Sequence, residues 1–350
     1  MKVGRGALAV LGLIAAFCAG LATGRLVGFG EERPNPGDLE IREGLKGYTN
    51  PLLECEIANE RLSASLRPFG SQLDRLIASL ESDQRVGKVA VYFRDLNNGP
   101  WVGHREKKEY IPASLAKVPV VIAAFRQAEI DPGFLSHTMV YEGLEEERTP
   151  GFLNPESNLQ RGRTYTVDEL ILQIARYSDN AAAKLLVQAI PAGLLQRVYF
   201  DLGVDPERLK SPGFSLSPKE YGAFFRVLYN ASYLSKRFSE QALMYFDQST
   251  FELGLVAGVP AGMRVSHKFG VWENASPGSG PSLQLHDCGI IYHQQHPYLL
   301  CVMTAGENYV QMAAAIAAVS RFVYEEVSRA AHYPGTGGSP SAVVGLPDTP

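Results

Sequence analysis

Residues 110–119, "YIPASLAKVP", place one serine and one lysine a single helical turn apart. Residues at this spacing share a face of a helix, so Ser114 and Lys117 can touch. The residues after Lys117, "VPVVIAAF" (118–125), are apolar. Burial in such a run lowers the pKa of an amine, and the neutral amine can then take the proton of the serine. The alternative is that Ser114 only caps a helix, since serine is common at N-caps.

Two later segments supply the polar groups that such a pair needs. "YSDN" (177–180) interrupts two helical patterns and presents a hydroxyl and an amide. These groups suit a proton relay and a hydrogen bond to an amide substrate, although a helix end followed by a capping residue is an equally simple interpretation. "HKFG" (267–270) places Lys268 in a β-like run. The lysine could be a solvated edge residue, but the glycine after Phe269 indicates close approach of something to the backbone, such as a substrate.

Hydrophobic periodicity places these motifs in an ordered series of elements. A helical pattern covers residues 65–82, an alternating strand covers 88–96, and a second short strand follows at Trp101. Helical patterns then dominate, and one of them opens with Thr166 and Glu169 at the spacing of a capping box. Strand patterns return after residue 260, and a long helix is predicted over 308–332.

This order predicts an α/β fold of two lobes. The first lobe comprises residues 62–111 and 260–332. Its strands form one antiparallel sheet, and its first and last helices flank that sheet. Residues 112–259 form an inserted all-helical lobe. The natural cleft lies between the sheet and the helical lobe, which is where we expect the site.

The N-terminus predicts export. Lys2 and Arg5 precede an uncharged stretch over residues 6–24, long enough to cross a bilayer as a helix and oriented with its basic end in the cytoplasm. Residues 1–24 are therefore interpreted as a signal anchor, with a cleavable signal peptide as the alternative. Residues 25–61 are predicted to be a linker or arm. The Pro/Gly/Ser-rich tail at 333–350 is predicted to be disordered.

The four cysteines give no metal-site spacing. Cys288 and Cys301 lie on two β-like runs joined by a short turn around Gln294–Gln295, so a hairpin centred there places them opposite each other. In an exported protein they could form a disulfide, and two buried free thiols are the alternative.

Taken in order, S-x-x-K, S-D-N and K-x-G resemble the motifs of the penicillin-recognising serine hydrolases, most closely the class A β-lactamase-like branch. The flanking segments "VYFRDLNNG" and "DCGIIYHQQHPYLLCVMTAG" are also similar, and the resemblance covers roughly residues 62–330. It implies that Ser114 is the nucleophile of an acyl-enzyme and that Lys117 is its base or proton shuttle. Ser178 would then pass a proton to the leaving nitrogen.

The same resemblance implies the groups that bind the substrate. Asn180 would hold Lys117 and the substrate amide. Lys268, followed by Gly270, would supply positive potential for a substrate carboxylate and for Ser178. The backbone N–H groups of Ser114 and Val271 would form the oxyanion hole, typically worth ~10²–10³ in rate per donor.

Two departures from the family pattern limit this expectation. Phe269 stands where the third motif normally carries Thr or Ser, so a hydroxyl contact to a substrate carboxylate is lost. The segment "FDLGVDPERLKSPGFSLSP" (200–218) is too short for the loop whose glutamate activates the deacylating water in class A enzymes. Its carboxylates, Asp201, Asp205 and Glu207, are interpreted as surface groups. Acylation is therefore predicted, and efficient β-lactam deacylation is not.

Charge and histidine content exclude other classes. A net charge of −4 without a basic cluster argues against nucleic acid as a partner. His293 and His296 flank the proposed turn, His286 and Asp287 precede a strand, and His267 should point away from Lys268 by strand alternation. We therefore predict no metal and no cofactor.

These observations predict an exported, membrane-tethered serine hydrolase that acts through a Ser114 acyl-enzyme. Its expected partner is a small-molecule β-lactam or a peptidoglycan-type peptide of the D-Ala-D-Ala class. The alternatives are a D,D-peptidase or penicillin-binding-type amidase or esterase of the cell envelope, and a catalytically silent binding module that retains the fold.

Overall fold

The structure is a computed structural model of the chain. It describes residues 40–42, 47–55, 67–83, 86–97, 99–143, 159–211, 213–273, 283–294 and 296–332. The predicted anchor at 6–24 and the predicted tail at 333–350 lie outside these ranges. Within them, no helix combines the length and apolar composition needed to cross a bilayer.

The predicted series of a helix, two strands, a helical block, three strands and a closing helix is present. The strands are β1 (Glu40–Arg42), β2 (Leu52–Cys55), β3 (Lys88–Asp95), β4 (Trp101–His104), β5 (Thr138–Val140), β6 (Thr164–Thr166), β7 (Val265–Glu273), β8 (Leu283–Ile291) and β9 (Tyr298–Gly306). The α-helices are α1 (Arg67–Ser82), α2 (Lys117–Ile130), α3 (Val167–Tyr177), α4 (Asn180–Ala189), α5 (Leu194–Asp201), α6 (Pro218–Tyr229), α7 (Lys236–Phe246) and α8 (Tyr309–His332). The short strands β1, β2, β5 and β6 are additional to the predicted series.

Five strands form one antiparallel sheet in the order β4-β3-β9-β8-β7. The early strands β3 and β4 join the late strands through β9, which is buried along its whole length. The prediction that the two β portions share one sheet is therefore confirmed. Strand β7, which carries the third motif, lies at an edge of the sheet.

Each face of the sheet is covered by helices. On one face, α1 and α8 pack against the strands, and Leu73, Ile77 and Leu80 of α1 are buried as their helical stripe predicts. On the other face lies the helical lobe, whose core is continuous with Cys288 and Cys301 of the sheet. The α/β architecture with an inserted helical lobe is confirmed.

Local sequence signals explain where the lobe's helices begin. Thr166 caps α3 in a complete capping box with Glu169, as predicted, and Ser217 and Glu220 form a second one at α6. The short ribbon of β5 and β6 was not predicted. Each of its strands has three residues, which is too short to show a period of two.

The pairing of strands β8 and β9 decides between a disulfide and two free thiols at Cys288 and Cys301. Strands β8 and β9 pair with Cys288 opposite Cys301, so the turn is centred where the sequence placed it. The two Cα atoms are 4.0 Å apart and the thiols are joined in a disulfide. The bond lies in the core between sheet and helical lobe, beside the strand that carries Lys268.

Part of the predicted linker packs onto the helical lobe. The Glu240 carboxylate of α7 accepts hydrogen bonds from the backbone N–H of Tyr48 (2.6 Å) and from the N–H and hydroxyl of Thr49 (3.0 and 2.9 Å). Thr49 and Asn50 are buried, and the N–H of Asn50 donates to the carbonyl of Tyr229 at 2.8 Å. Residues 47–50 are therefore an integral part of the domain surface.

Removing this carboxylate should loosen the docked segment. We expect Glu240→Ala to lower the free energy of unfolding by about 1.5–3 kcal/mol, since charge-assisted hydrogen bonds are the strong ones. The measurement is urea unfolding of the purified protein. Glu252→Ala, at an exposed glutamate, is the control and should change the free energy of unfolding by less than about 0.5 kcal/mol. Equal stability of the two variants would show that the docked segment adds nothing.

Candidate active site

Ser114 lies in a 3₁₀ turn, Ala113–Ala116, that leads directly into α2. Neither this turn nor α2 has a side-chain cap, and the residues at the two cap positions are Pro112 and Ala116. Ser114 is therefore not an N-cap, and its hydroxyl is not used by the helix. Ala113 has φ of 48°, an uncommon conformation for a residue with a side chain, so the turn is strained immediately before the serine.

Lys117 is buried, and its amine contacts Ser114 and the S-D-N motif. Its Nζ lies 3.0 Å from Oγ of Ser114 and 2.6 Å from Oδ1 of Asn180. It also lies 2.5 Å from the carbonyl oxygen and 3.2 Å from Oγ of Ser178. Two of these partners, the amide oxygen and the carbonyl, can only accept. A neutral amine donates to these two, and its lone pair is then available for the hydroxyl of Ser114.

The S-D-N segment is both a helix junction and part of the site. Ser178 ends α3 with φ of 58°, in the left-handed region. Asp179 caps α4 by accepting from the N–H of Ala182 at 2.9 Å. The sharp change of direction between the two helices points the carbonyl and hydroxyl of Ser178 and the amide of Asn180 at Lys117. The interpretation as a helix end followed by a capping residue is therefore confirmed, and the proton relay and the hydrogen bond to a substrate amide stay predictions.

Lys268 reaches the same hydroxyl from the sheet. Its Nζ is fully buried and donates to Oγ of Ser178 and to the carbonyl of Phe269, both at 2.7 Å. The structure thus brings Ser114, Lys117, Ser178 and Lys268 into one connected chain of polar groups. Asn180 joins this chain through Lys117.

Burial sets the charge of the two amines. It lowers the pKa of Lys117 to about 7, and Asp179 partly opposes the effect. It also lowers the pKa of Lys268 well below its usual range, and the nearby Lys117 lowers it further while Asp287 opposes. Because desolvation disfavours the charged amine, a neutral Lys117 is accessible near pH 7.

Gly270 explains how the strand approaches the nucleophile. A Cβ on Gly270 would lie 2.8 Å from the carbonyl oxygen of Pro112 and 3.0 Å from the backbone nitrogen of Leu115. The turn that carries Ser114 thus makes the close approach that the sequence indicated. Val271, the expected second donor of the oxyanion hole, follows on this edge strand and is partly exposed.

The shortened loop carries surface carboxylates, as predicted. Asp201 pairs with Arg197 at 2.7 Å, Asp205 accepts from the N–H of Glu207 at 2.9 Å, and Glu207 pairs with Lys210 at 2.6 Å. The loop is held in place by a cluster that sequence reasoning missed. In it, the guanidinium of Arg208 binds Glu109, Glu220 and the carbonyl of Ser215. Arg208 carried no motif signal, because its partners lie in separate elements.

The histidines have structural partners. His267 binds Asp287 at 2.7 Å on the face of β7 opposite to Lys268. Nε2 of His286 lies 3.1 Å from the carbonyl of Ile111, and burial lowers the pKa of this histidine to about 4. Among the residues with described positions, no group of three His, Cys, Asp or Glu side chains is arranged to hold a metal ion.

Phe251 is a buried core residue that packs against the third motif, and sequence reasoning did not find this contact. It stacks on Phe269 with the ring centroids 4.2 Å apart and the planes at 19°. Phe251 lies outside every motif, so only the fold shows that it meets the third one.

Several solved structures are similar to this chain in fold. The class A β-lactamase from Mycobacterium abscessus is 25% identical, with a TM-score of 0.61 over 73% of this chain and 98% of that chain. PBP-A is 19% identical, with a TM-score of 0.61 over 75% of this chain and 97% of that chain. A mutant of PBP-A in acyl-enzyme complex with penicillin G is 20% identical, with a TM-score of 0.59 over 74% and 97% of the two chains. No curated protein sequence matches the chain.

The fold is thus that of the β-lactamase and penicillin-binding type of serine hydrolase. The model of the β-lactamase enzyme family (Beta-lactamase2) matches residues 69–327, which include all three motifs. The chain belongs to the β-lactamase enzyme family.

Proposed function

We propose that the protein cleaves a β-lactam or a D-Ala-D-Ala-type amide through an acyl-enzyme on Ser114, and that it deacylates slowly. The observation that carries the proposal is the position of the buried Lys117 amine, 3.0 Å from Oγ of Ser114, with its two N–H donors directed to pure acceptors. A helix lysine with only a packing role has no reason to place its lone pair on a serine hydroxyl.

Acylation proceeds by one displacement at the substrate carbonyl. Lys117 takes the proton of Ser114 while Oγ forms a bond to the carbonyl carbon. The backbone N–H groups of Ser114 and Val271 receive the negative charge on the carbonyl oxygen. The C–N bond then breaks, and the leaving nitrogen receives the proton from Lys117 through the hydroxyl of Ser178, which lies 3.2 Å from the amine. Asn180 orients Lys117 and binds the substrate amide.

Among the described residues, the site offers no loop carboxylate to activate the water for deacylation. The three loop carboxylates are engaged on the surface, so the water that must attack the ester depends on Lys117 as its base. This favours a long-lived acyl-enzyme, as in a penicillin-binding protein. The acyl-enzyme that a mutant of the similarly folded PBP-A forms with penicillin G makes a penicillin the natural first probe.

The proposal extends to location and to a second function. We propose an exported protein anchored by residues 6–24, because this stretch is apolar and is flanked by basic residues.

The second candidate is a D,D-peptidase or another amidase or esterase of the envelope, favoured by the loss of the loop glutamate. A silent binding module is opposed by the connected chain from Ser114 to Lys268.

A fluorescent penicillin tests the proposal. The protein should form a covalent adduct that persists after removal of free penicillin, and Ser114→Ala should form none, because the adduct is an ester of that serine. Fluorescence of the denatured protein on a gel measures both. Rapid consumption of penicillin would instead indicate efficient turnover. Absence of an adduct, together with no hydrolysis of ester or amide probes, would favour the binding module.

A further inference from the structure

The turn that carries Ser114 leads into a helix whose first turn contains a proline. The carbonyl of Leu115 has no donor in the α-helical pattern, because the residue four positions later is Pro119, which has no N–H. The N–H of Leu115 donates back to the carbonyl of Pro112 at 2.9 Å, and Ala113 between them is held at φ of 48°. A strained backbone of this kind persists only where the surrounding structure fixes it.

Tyr221 supplies the donor that Pro119 cannot. This tyrosine lies on α6 in the helical lobe and is fully buried. Its hydroxyl donates to the carbonyl of Leu115 at 3.0 Å. Burial raises the pKa of the phenol well above its usual value, so the proton stays on the donor. The residue after Ser114 is thereby tied to the helical lobe by a side chain that lies outside all three motifs.

Two side chains of β8 hold the segment before Ser114. The N–H of Ile111 donates to Oε1 of Gln284 at 3.1 Å. The carbonyl of Ile111 lies 3.1 Å from Nε2 of His286. In the register of β7 and β8, His286 pairs with Gly270, which packs against the same turn. Ile111 is thus bound through both of its backbone groups.

The partners of His286 determine where its ring proton lies. Nδ1 is 3.2 Å from the backbone nitrogen of Thr304, whose N–H can only donate. Nδ1 is therefore the acceptor, and Nε2 carries the proton and donates to the carbonyl of Ile111. Burial lowers the pKa of His286 to about 4, so the ring stays in this neutral form near pH 7. His286 is consequently a fixed donor to the segment that leads to Ser114.

We propose that His286 and Tyr221 are positioning residues for the nucleophile. They hold the strained turn from the sheet and from the helical lobe, through the carbonyls of Ile111 and Leu115, and so keep Oγ of Ser114 aligned for attack. The inference rests on the proposed function, in which Ser114 attacks the substrate carbonyl. Such alignment matters because a misplacement of about 1 Å can lower a rate about 10²-fold.

A matched pair of variants at His286 separates the bond to the serine turn from the bond inside the sheet. In His286→Gln, the side-chain amide can keep a donor near the position of Nε2, toward Ile111. In His286→Asn, it can keep an acceptor near the position of Nδ1, toward Thr304. We expect His286→Asn to lower the limiting rate of acylation about tenfold or more, and His286→Gln to retain most of that rate.

The measurement is the rate of adduct formation with fluorescent penicillin over a range of penicillin concentrations, on the full chain. The limiting rate reports the alignment of Ser114, and the half-saturating concentration reports substrate binding. We expect the half-saturating concentration to stay unchanged in both His286 variants, since a positioning residue does not touch the substrate.

Tyr221→Phe tests the second support and leaves the ring in place. It should lower the limiting rate by about two- to tenfold, the effect of one hydrogen bond, again without a change in the half-saturating concentration. Urea unfolding shows which variants are folded. If neither His286 variant folds, Tyr221→Phe decides, and an unchanged limiting rate in this variant would then overturn the inference.

The outcomes separate the inference from the proposed function. A folded His286→Asn protein with the normal limiting rate would overturn the inference. Equal losses in the Asn and Gln variants would also overturn it, because they would indicate a role inside the sheet alone. If neither penicillin nor an activated ester gives the unmodified protein an adduct that Ser114→Ala abolishes, the proposed function fails, and the inference fails with it.

Discussion

Replacing Lys117 with methionine should lower the rate of Ser114 acylation by about 10²–10⁴-fold, the range typical of a lost general base. Methionine fills the buried space but offers no lone pair to the hydroxyl 3.0 Å away. The rate of adduct formation with fluorescent penicillin measures the effect. Lys184→Met is the matched control, since Lys184 is exposed on α4, and we expect it to react at the rate of the unmodified protein.

The pH profile distinguishes a base from a structural lysine. The pKa of Lys117 is lowered to about 7, so the neutral amine is the major form above that pH and becomes the minor form as pH falls through it. Acylation should therefore rise with pH and level off above pH 7, falling to about a tenth of its maximum one unit below the pKa. Lys117→Met should lose this inflection as well as the rate. A variant that reacts within tenfold of the unmodified protein, with the inflection retained, would assign the base to another group.

The general architecture was predictable because its signals are local and repeated. The helical stripe of α1, the alternation of β3 and the capping box at Thr166 each depend on residues close together in the chain. The three motifs were also visible, because each places a polar group inside an apolar pattern. Their meeting at Ser178 follows from the fold, which packs α3, α4 and β7 around one cleft.

Contacts that depend on one distant partner could not be predicted. The segment at 47–50 has the composition of a linker, and it is ordered by Glu240, which follows Thr49 by 191 positions. The packing of Phe269 in the third motif depends on Phe251, which stacks on it from a loop outside every motif. Neither Glu240 nor Phe251 belongs to a periodic sequence pattern that would predict its contact, because each acts on one distant partner.

Adding one methyl group to Gly270 should lower the acylation rate by about 10²-fold, the cost of a misplacement of about 1 Å at a reacting centre. The new Cβ would lie 2.8 Å from the carbonyl oxygen of Pro112 and 3.0 Å from the nitrogen of Leu115. Both are backbone atoms, so the turn that carries Ser114 must move away from β7. Overpacking of this kind should also lower the free energy of unfolding by about 1–3 kcal/mol.

The control for this variant is Gly213→Ala, where an added Cβ meets nothing within 4 Å. It should leave both the acylation rate and the urea-unfolding midpoint unchanged. Because Gly270 has no side chain, a large loss of rate in Gly270→Ala would come from a displacement of the turn that carries Ser114 relative to β7, which carries Lys268 and Val271. If the folded Gly270→Ala protein were acylated at the normal rate, the contact between β7 and the serine turn would not set the geometry of the site.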